Sequence, residues 1–389
     1  MNRHFAGRVL DMQPSPTVAV SDAVRTLRQQ GKDVIDLGGG EPDFPTPEHV
    51  CRAAIEAMQA GDTHYVASAG TPQLRAAIAN KLKTDNGIDV DVSSIIVTPG
   101  AKSALFSSVL ALVEAGDDLV MFDPGWVSYE PMARVAGAGI VRIPLDPGEN
   151  YRVSKEAIEP HLTPSSRVVI VNTPNNPTGR MLTRDELTAI AEIAIERDMI
   201  VISDEIYEKI SYDGNVHISI GSLPGMAERT LTVNGFSKAY AMTGWRLGYV
   251  AGPPDIMRQV AKIHSHSVTC ATSFGQAGAV AALDGPQGFI DSMVEAWDRR
   301  RHMIASGLNS IPGFQCAMPE GAFYALPDVS GTGFDGGEVA KRLIDDAGVG
   351  VTPGAAFGDV TRNHIRLSFA NADDLIESSI ERIRRTFSA

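Results

Sequence analysis

The middle of the chain alternates between short apolar runs and longer segments whose apolar residues recur at helical spacing. The runs are SSIIVTPG, DDLVMFDPGW, RVVIVNTPNNPTG, DMIVISDEIY, RTLTVNGFSK and RLGYVAG. Between them, AKSALFSSVLALVEAG predicts a helix closed by Gly116, and TRDELTAIAEIAIERD predicts a helix capped by Thr183. Strands without polar alternation are typical of a parallel sheet that helices cover on both faces. The pattern therefore predicts an α/β protein with a three-layer α/β/α large domain and a mostly parallel sheet.

The two ends of the chain have a different pattern. The N-terminal part contains a polar helical segment, SDAVRTLRQQGKD, and a Gly/Pro-rich turn, DLGGGEPDFPTP. The C-terminal part contains a charged helical segment, the β run GAFYALPDV, another helix and the strand HIRLSF. We expect residues 46–288 to form the large, cofactor-binding domain. Residues 1–45 and 289–389 are expected to form a smaller α+β domain.

Charge and cysteine content narrow the classes of function. The chain has 34 Lys and Arg against 47 Asp and Glu, a net charge of -13 that opposes nucleic-acid binding. Cys51, Cys270 and Cys316 lie far apart without a CxxC pair, which indicates neither a disulfide framework nor a zinc site. The chain shows no hydrophobic signal core, and no apolar run reaches about 18 residues. We expect a cytoplasmic protein without a membrane span or a metal.

The residues that follow each strand are the candidates for ligand binding, because ligands of parallel sheets lie beyond the carboxyl ends of the strands. In VTPGAKSALF a helix begins near Ala101, and the free N–H groups of its first turn form an anion site beside the small Gly100. Lys102 lies in that turn, where a cation is unfavourable unless an anion is near. The alternative is a solvated surface lysine.

Two more strands end in polar residues. Asn175 and Asn176, flanked by prolines, hold an amide at the mouth of the sheet or simply form a turn. Asp204 follows the strand VIS and either caps a helix, EIYEKI, or pairs with a buried cation. Tyr207 would lie on the same face of that helix.

The segment GFSKAYAMTGWRLGYV places two cations among small and apolar residues. A lysine in a desolvated pocket, such as Lys238, has a lowered pKa and condenses with aldehydes. Arg246 offers a fork of donors that suits a phosphate. The alternative is that both side chains extend to solvent at a domain edge. Together with the other strand ends, the segment offers what pyridoxal phosphate requires: a phosphate site, a carboxylate for the ring nitrogen, an amide and a phenol for the ring oxygen, and a lysine.

With these motifs the sequence resembles the class I aminotransferases, which have fold type I of the pyridoxal-phosphate enzymes, and most closely the prokaryotic branch of the aspartate aminotransferases. The resemblance covers nearly the whole chain. It runs through PSPTVAV, GEPDF, HYVASAG, GAKSALF, WVSY, NNPTG, SDEIY, FSKAYAMTGWRLGY, GAFY and HIRLS.

The resemblance implies a homodimer with shared active sites and a role for each site residue. Lys238 would bind the cofactor covalently and move the substrate α-proton. Asp204 would keep the pyridine nitrogen protonated. The remaining cofactor roles fall to Asn176 and Tyr207 at the ring oxygen, Trp126 stacked on the ring, Arg246 with the amides of Ala101 and Lys102 at the phosphate, and Tyr65 reaching that phosphate from the partner subunit.

The substrate side and two departures from the family pattern are also implied. Arg366 would bind the substrate α-carboxylate, with Gly40 lining that side. Many relatives have a serine where this chain has Gly235, which leaves Ser237 as the nearby hydroxyl. Relatives often have PYW where this chain has PGW, so Gly125 is expected to loosen the wall beside the ring.

Substrate preference depends on a second cation. The stretch KIHSHSVTCATS lacks the arginine of one branch, and its histidines, His264 and His266, are expected to be structural. In the prokaryotic branch a lysine at the position of Lys102 serves instead. This favours aspartate or glutamate as amino donor, and 2-oxoglutarate or oxaloacetate as acceptor, in a ping-pong reaction.

Three alternatives stay open: an aminotransferase for aromatic substrates or prephenate, a pyridoxal-phosphate lyase on the same fold, and a non-catalytic module that keeps the cofactor as a ligand. A dehydrogenase is rejected. GTGFDG, from Gly331 to Gly336, matches GxGxxG, but its glycines are expected in a loose surface loop, Asp335 would repel a pyrophosphate, and the segment lies outside the alternating region.

Overall fold

The computed structural model describes residues 4–10 and 12–387. Its α-helices are α1 (Gly7–Leu10), α2 (Pro16–Gln29), α3 (Glu48–Gln59), α4 (Pro72–Asn86), α5 (Ala101–Leu112), α6 (Tyr129–Ala136), α7 (Lys155–Ile158), α8 (Arg184–Glu196), α9 (Pro254–Val268), α10 (Ser273–Asp284), α11 (Gly288–Asn309), α12 (Gly336–Arg342) and α13 (Asp373–Phe387). Its strands are β1 (Ile35–Asp36), β2 (Ile95–Thr98), β3 (Asp118–Asp123), β4 (Gly139–Pro144), β5 (Ser166–Asn172), β6 (Ile200–Asp204), β7 (Thr230–Gly235), β8 (Gly248–Ala251), β9 (Tyr324–Ala325), β10 (Val349–Gly350), β11 (Thr352–Pro353) and β12 (Ile365–Ser368).

A seven-stranded sheet forms the centre of the molecule, in the order β2-β8-β7-β6-β5-β3-β4. Strand β8 runs antiparallel to both of its neighbours, and the other pairs are parallel. The register sets Asn172 opposite Asp204, and Asp204 opposite Val233. The ends of β5, β6 and β7 therefore meet at one edge of the sheet.

Helices cover both faces of this sheet, as continuous apolar strands require. On one face Val168, Ile170 and Ile202 pack with α5, α6 and α9. Alternate residues of the same strands, such as Val169 and Val201, pack against α8 on the other face. The predicted three-layer arrangement with a mostly parallel sheet is confirmed.

The two ends of the chain meet in two smaller sheets. Strand β1 pairs in parallel with β10, and β11, β12 and β9 form an antiparallel sheet. Helices α11 and α13 pack beside them, around a core that contains the fully buried Trp297 and Phe323. This is the smaller α+β part of the predicted fold class. Among the described residues, no helix has the length and apolar character needed to cross a bilayer.

Three local predictions need correction. Residues 206–209 form a turn, and no helix follows Asp204. Within this turn Tyr207 packs into the core of the smaller sheets, whereas Glu208 pairs with Lys81 of α4. Helix α5 ends at Leu112, before Gly116. Asp335 caps α12 through a reciprocal bond with Glu338, so GTGFDG is a loop that leads into a helix rather than a loop alone.

Candidate active site

A cavity of about 650 Å³ lies beyond the carboxyl ends of β2, β5, β6 and β7. Eleven of the twelve predicted site residues line it, and Tyr65 does not. The eleven are Gly40, Ala101, Lys102, Trp126, Asn176, Asp204, Tyr207, Ser237, Lys238, Arg246 and Arg366. Residues scattered over most of the chain therefore share one site.

Lys238 lies just after β7, between aromatic rings. Its Nζ lies 5.9 Å from the ring centre of Tyr207 and 5.8 Å from that of Phe323, and it donates a hydrogen bond to the carbonyl of Gly40. Burial lowers the Lys238 pKa to about 8, and the positive charge of Arg366 acts in the same direction. A larger share of the amine is therefore neutral near pH 7 than in an ordinary lysine.

Asp204 ends β6 and faces the cavity with only 4% of its surface exposed. The hydroxyl of Tyr129 donates a 2.7 Å hydrogen bond to its Oδ2. Burial raises the Asp204 pKa to about 6, although the Tyr129 hydrogen bond opposes the rise. Of the two interpretations of Asp204, the helix cap fails because no helix follows it, and partnership with a buried cation remains.

Arg366, on β12, is buried and only partly bonded. Its Nη1 donates to Oδ1 of Asn176 at 3.1 Å, and its Nη2 donates to the carbonyl of Gly38 at 2.6 Å. Its Nε is buried and has no hydrogen-bond partner among the residues that the structure describes, and the guanidinium lies 4.5 Å from the ring centre of Tyr324. Burial lowers the Arg366 pKa. The guanidinium thus keeps donor capacity for an anionic ligand.

Tyr207 and Tyr324 share a 2.8 Å hydrogen bond between their hydroxyls. Burial, with the Tyr324 hydroxyl next in importance, raises the Tyr207 pKa well above its ordinary value, so the phenol stays protonated. The backbone of Asn176 is fixed by a hydrogen bond, which its N–H donates to Oδ1 of Asn172 at 2.9 Å. The amide and the phenol are thus fixed at one wall of the cavity.

An anion cradle forms where β2 passes into α5. Gly100 precedes the helix with φ +81°, and a Cβ on it would lie 2.5 Å from Nη2 of Arg246. Lys102 Nζ lies 4.8 Å from the ring centre of Trp126, and burial, reinforced by Arg246, lowers the Lys102 pKa. Two cations therefore converge on a helix N-terminus that has room for a phosphate.

Neither of the two residues that depart from the family pattern lines the main cavity. Gly235 ends β7 opposite Gly248. Gly125 lines a separate cavity of about 40 Å³, and a Cβ there would lie 2.6 Å from the carbonyl oxygen of Phe122. Tyr129 lines both cavities and so separates Gly125 from the main one. That Gly125 loosens the wall beside the ring stays a prediction.

Tyr65 lies apart from the other predicted residues and is 86% exposed. Nearby, Nε2 of the buried His264 bonds to the carbonyl of Ser68 at 3.0 Å. His264 thus holds the loop that carries Tyr65 and has no contact with the cavity, which fits a structural role.

Sequence reasoning missed three residues that support the site: Tyr129, Asn172 and Tyr324. Tyr129 follows Trp126 by three residues in WVSY and packs edge-on against it at 5.3 Å. Asn172 ends β5, so the rule that pointed to Asn176 also applied to it. Tyr324 belongs to the motif GAFY, but the strand-end rule did not point to it because it reaches the cavity from the smaller antiparallel sheet.

Comparison with known proteins identifies the family. Residues 32–383 match the family described as aminotransferase class I and II, and the chain belongs to that family. It is 45% identical to the aspartate aminotransferase of Musicola paradisiaca, over 98% of this chain and 96% of that one. It is 41% identical to the aspartate/prephenate aminotransferase of Thermus thermophilus, over 98% of each chain. The solved structure of aspartate aminotransferase from Thermus thermophilus with maleate superposes with a TM-score of 0.95 at 40% identity, covering 99% of this chain and 100% of that one.

Proposed function

We propose that this protein is a pyridoxal-phosphate-dependent aminotransferase. It moves an amino group between L-aspartate or L-glutamate and 2-oxoglutarate or oxaloacetate by a ping-pong reaction. The observation that carries the proposal is the convergence of Lys238, Asp204 and Arg366 on one cavity with an anion cradle at its end. The names of the relatives point the same way.

The residues present fit the cofactor. The cradle at the start of α5 has the donors for a phosphate, and the small Gly100 keeps the space in front of Arg246 open. Asp204 offers a buried carboxylate to a protonated ring nitrogen, and this cation would compensate the burial that now raises its pKa. Asn176 and Tyr207 would bind the ring oxygen, Trp126 would cover the ring, and Ser237 lies within reach of the phosphate side.

Pyridoxal phosphate, when bound, supplies an aldehyde that condenses with amino groups and a protonated ring that accepts electrons from the substrate α-carbon. Lys238 Nζ takes the α-proton and returns it, a role that suits an amine whose pKa is about 8. Arg366 binds the α-carboxylate and orients the α-carbon hydrogen toward Lys238. The aromatic rings around Lys238 keep water from the transferred proton.

We assign the side-chain carboxylate of the substrate to Lys102. Its ammonium is partly buried, lacks a carboxylate partner among the described residues and lies over Trp126. A dicarboxylic substrate would supply the missing counter-charge. A second candidate substrate is prephenate, which the name of the Thermus thermophilus relative favours.

We further propose that the protein is a cytoplasmic homodimer in which Tyr65 contributes to the partner's phosphate site. The exposure of Tyr65 supports this, since a phenol that is 86% exposed in one chain is free to reach another. In this proposal residues 46–288 are the large cofactor-binding domain, and residues 1–45 with 289–389 are the small domain, whose closure would bring Arg366 onto the substrate. Mixing inactive Lys238→Ala and Tyr65→Ala chains tests the dimer. Hybrid dimers should regain activity at the one site that is intact, and no recovery would exclude sharing.

The visible absorption spectrum of the purified protein tests the main proposal. Added L-aspartate should bleach the band of the bound cofactor, and 2-oxoglutarate should restore it. A band that responds to prephenate and glutamate but not to aspartate would favour the second candidate. Release of ammonia or pyruvate without an oxo-acid acceptor would indicate a lyase. No band after addition of pyridoxal phosphate would overturn the site assignment.

A further inference from the structure

A cluster of buried polar side chains lies on the face of the sheet opposite the cavity. Its centre is the carboxylate of Glu205, which is 0% exposed. Four donors surround that carboxylate and define what we name the Glu205 cluster: Ser203, Ser219, Asn86 and His217. Neither the cofactor roles nor the substrate roles above use any of them.

The hydrogen bonds of the cluster join three separate parts of the chain. Ser203 donates to Oε1 of Glu205 at 2.8 Å, and Ser219 donates to Oε2 at 2.6 Å. Asn86, the last residue of α4, donates to Oε2 at 3.2 Å, and Nε2 of His217 lies 3.0 Å from the same oxygen. The cluster therefore fastens the end of β6 to α4 and to the segment 217–219.

The cluster pairs acidic with basic side chains. Glu208, one turn further on, pairs with Lys81, and Asn86 also donates to it at 2.6 Å. Burial lowers the His217 pKa, but the charge of Glu205 outweighs burial and raises it, so the imidazole keeps its proton to a higher pH than an ordinary histidine. The two carboxylates thus face the Lys81 ammonium and the His217 imidazole.

The position of Glu205 links this cluster to the cavity. Side chains of an extended strand alternate between faces, so Asp204 points into the cavity while Ser203 and Glu205 point away. The backbone N–H of Glu205 donates to the carbonyl of Val233 on the next strand at 2.9 Å. The turn that follows carries Tyr207 and forms only a short stretch without α-helix. Its first backbone hydrogen bond runs from the N–H of Glu208 to the carbonyl of Glu205 itself, at 2.9 Å. Asp204 and Tyr207 therefore sit on either side of the anchored residue.

We propose that Glu205 is a positioning residue, which fixes the turn so that Asp204 and Tyr207 meet the cofactor ring. This inference rests on the proposed function, since it concerns how the same site holds its cofactor. Because four donors bind the Glu205 carboxylate, the backbone at residue 205 is held more firmly against rotation than it would be by one hydrogen bond. The Glu205 cluster touches neither Arg366 nor Lys102, so substrate binding should be largely independent of it.

The experiment compares the wild type with Glu205→Gln, which keeps the shape but removes the charge. The matched control is Glu186→Gln, because Glu186 is also a buried carboxylate with several donors and lies outside the cavity. Cofactor-free proteins are titrated with pyridoxal phosphate by tryptophan fluorescence. The loaded proteins are then assayed for kcat and KM with L-aspartate and 2-oxoglutarate.

Glu205→Gln should bind pyridoxal phosphate about fivefold more weakly and lose about tenfold in kcat, as expected for a small misplacement of groups on the ring. Its KM for aspartate should stay within about twofold of the wild type, because the Glu205 cluster does not touch Arg366 or Lys102. Glu186→Gln should lower the thermal midpoint and leave cofactor affinity and kcat unchanged. A purely structural role for Glu205 would give that second pattern in both variants.

Wild-type cofactor affinity and kcat in Glu205→Gln would overturn the positioning role, whatever the thermal midpoint. If that variant does not fold, Ser219→Ala removes a single donor and is read in the same way. A wild-type protein that does not bind pyridoxal phosphate would overturn the proposed function and this inference together. Failure confined to the variant comparison would overturn the inference alone.

Discussion

Asp204 should destabilise the protein while the cofactor is absent. Its folded-state pKa of about 6 exceeds its ordinary value of 3.8 because the carboxylate is buried. Between these values the folded chain holds the proton more tightly than the unfolded chain, so stability falls as the pH rises through this window. The full penalty is present above about pH 6. Asp204→Asn removes the charge, keeps the shape and should therefore stabilise the cofactor-free protein.

The expected gain follows from the size of the pKa difference. About two pH units correspond to about 3 kcal/mol, at 1.36 kcal/mol per unit. A chain of 389 residues has an unfolding entropy of about 0.8 kcal/mol per kelvin, so 3 kcal/mol raises the thermal midpoint by about 4 °C. The gain should be complete at pH 8 and should shrink toward zero near pH 4.

Thermal unfolding of cofactor-stripped protein, followed by circular dichroism from pH 4.5 to 8, measures this gain. Glu186→Gln is a control of opposite sign. Burial raises the Glu186 pKa, but hydrogen bonds from Arg180 and backbone N–H groups outweigh it and leave the pKa lowered. Removal of the Glu186 charge should therefore lower the thermal midpoint at pH 8. Addition of pyridoxal phosphate should reverse the order of wild type and Asp204→Asn, because binding stabilises the wild type more.

Two results would refute the reasoning. The first is an Asp204→Asn variant that is less stable than the wild type at pH 8 without cofactor. The second is a gain in thermal midpoint that does not change with pH. The first would mean that the Tyr129 hydrogen bond, rather than burial, dominates the energetics of the Asp204 carboxylate, and the second would mean that the gain does not come from the charge of Asp204.

Three further predictions test the substrate side and the buried ion pair. Arg366→Lys should raise the KM for aspartate about 10- to 100-fold, through loss of a bidentate charged contact, while the cofactor spectrum persists; an unchanged KM would contradict its role. Lys102→Gln should raise the KM for aspartate but not for alanine, measured with a common acceptor, and equal effects would place Lys102 at the phosphate. The His217 pKa is raised because Glu205 outweighs burial, so the pair stabilises below pH 6.5 and is lost as the pH rises through the folded pKa. His217→Gln should therefore lower the thermal midpoint more at pH 6 than at pH 9, and a pH-independent loss would exclude the charged pair.

The sequence predicted the large sheet well because its strands carry the strongest local signal. Each strand is a continuous apolar run that ends in polar residues, and this rule located Asp204, Asn176 and Lys238 at one edge. Each is now found on the predicted cavity. The antiparallel direction of β8 was not predicted, because an apolar run has the same composition in either direction.

The errors have a shared physical origin in side chains that bind across the fold. In EIYEKI, Ile206 and Ile210 are spaced as on one face of a helix, but a turn also brings both into a core, and the segment forms that turn. The Glu205 cluster likewise joins residues more than 100 positions apart, and no periodicity marks such contacts. Gly125 was expected beside the ring because relatives often have PYW where this chain has PGW, and in the structure Gly125 lines the smaller cavity while its neighbour Trp126 lines the main one.

The charge of the cavity contrasts with the charge of the whole protein. The chain has a net charge of -13, yet its main cavity gathers Lys102, Lys238, Arg246 and Arg366, and among the carboxylates that line it in the described part of the chain only Asp204 is buried. Burial lowers the pKa of Lys102, Lys238 and Arg366, which means that the protein alone does not neutralise these cations. A dianionic phosphate and a dicarboxylic substrate would supply the missing negative charge. The acidic surface of the protein does not bind such anions. The excess positive charge in the cavity destabilises the cofactor-free protein, and it therefore favours an anionic cofactor and an anionic substrate over neutral ones.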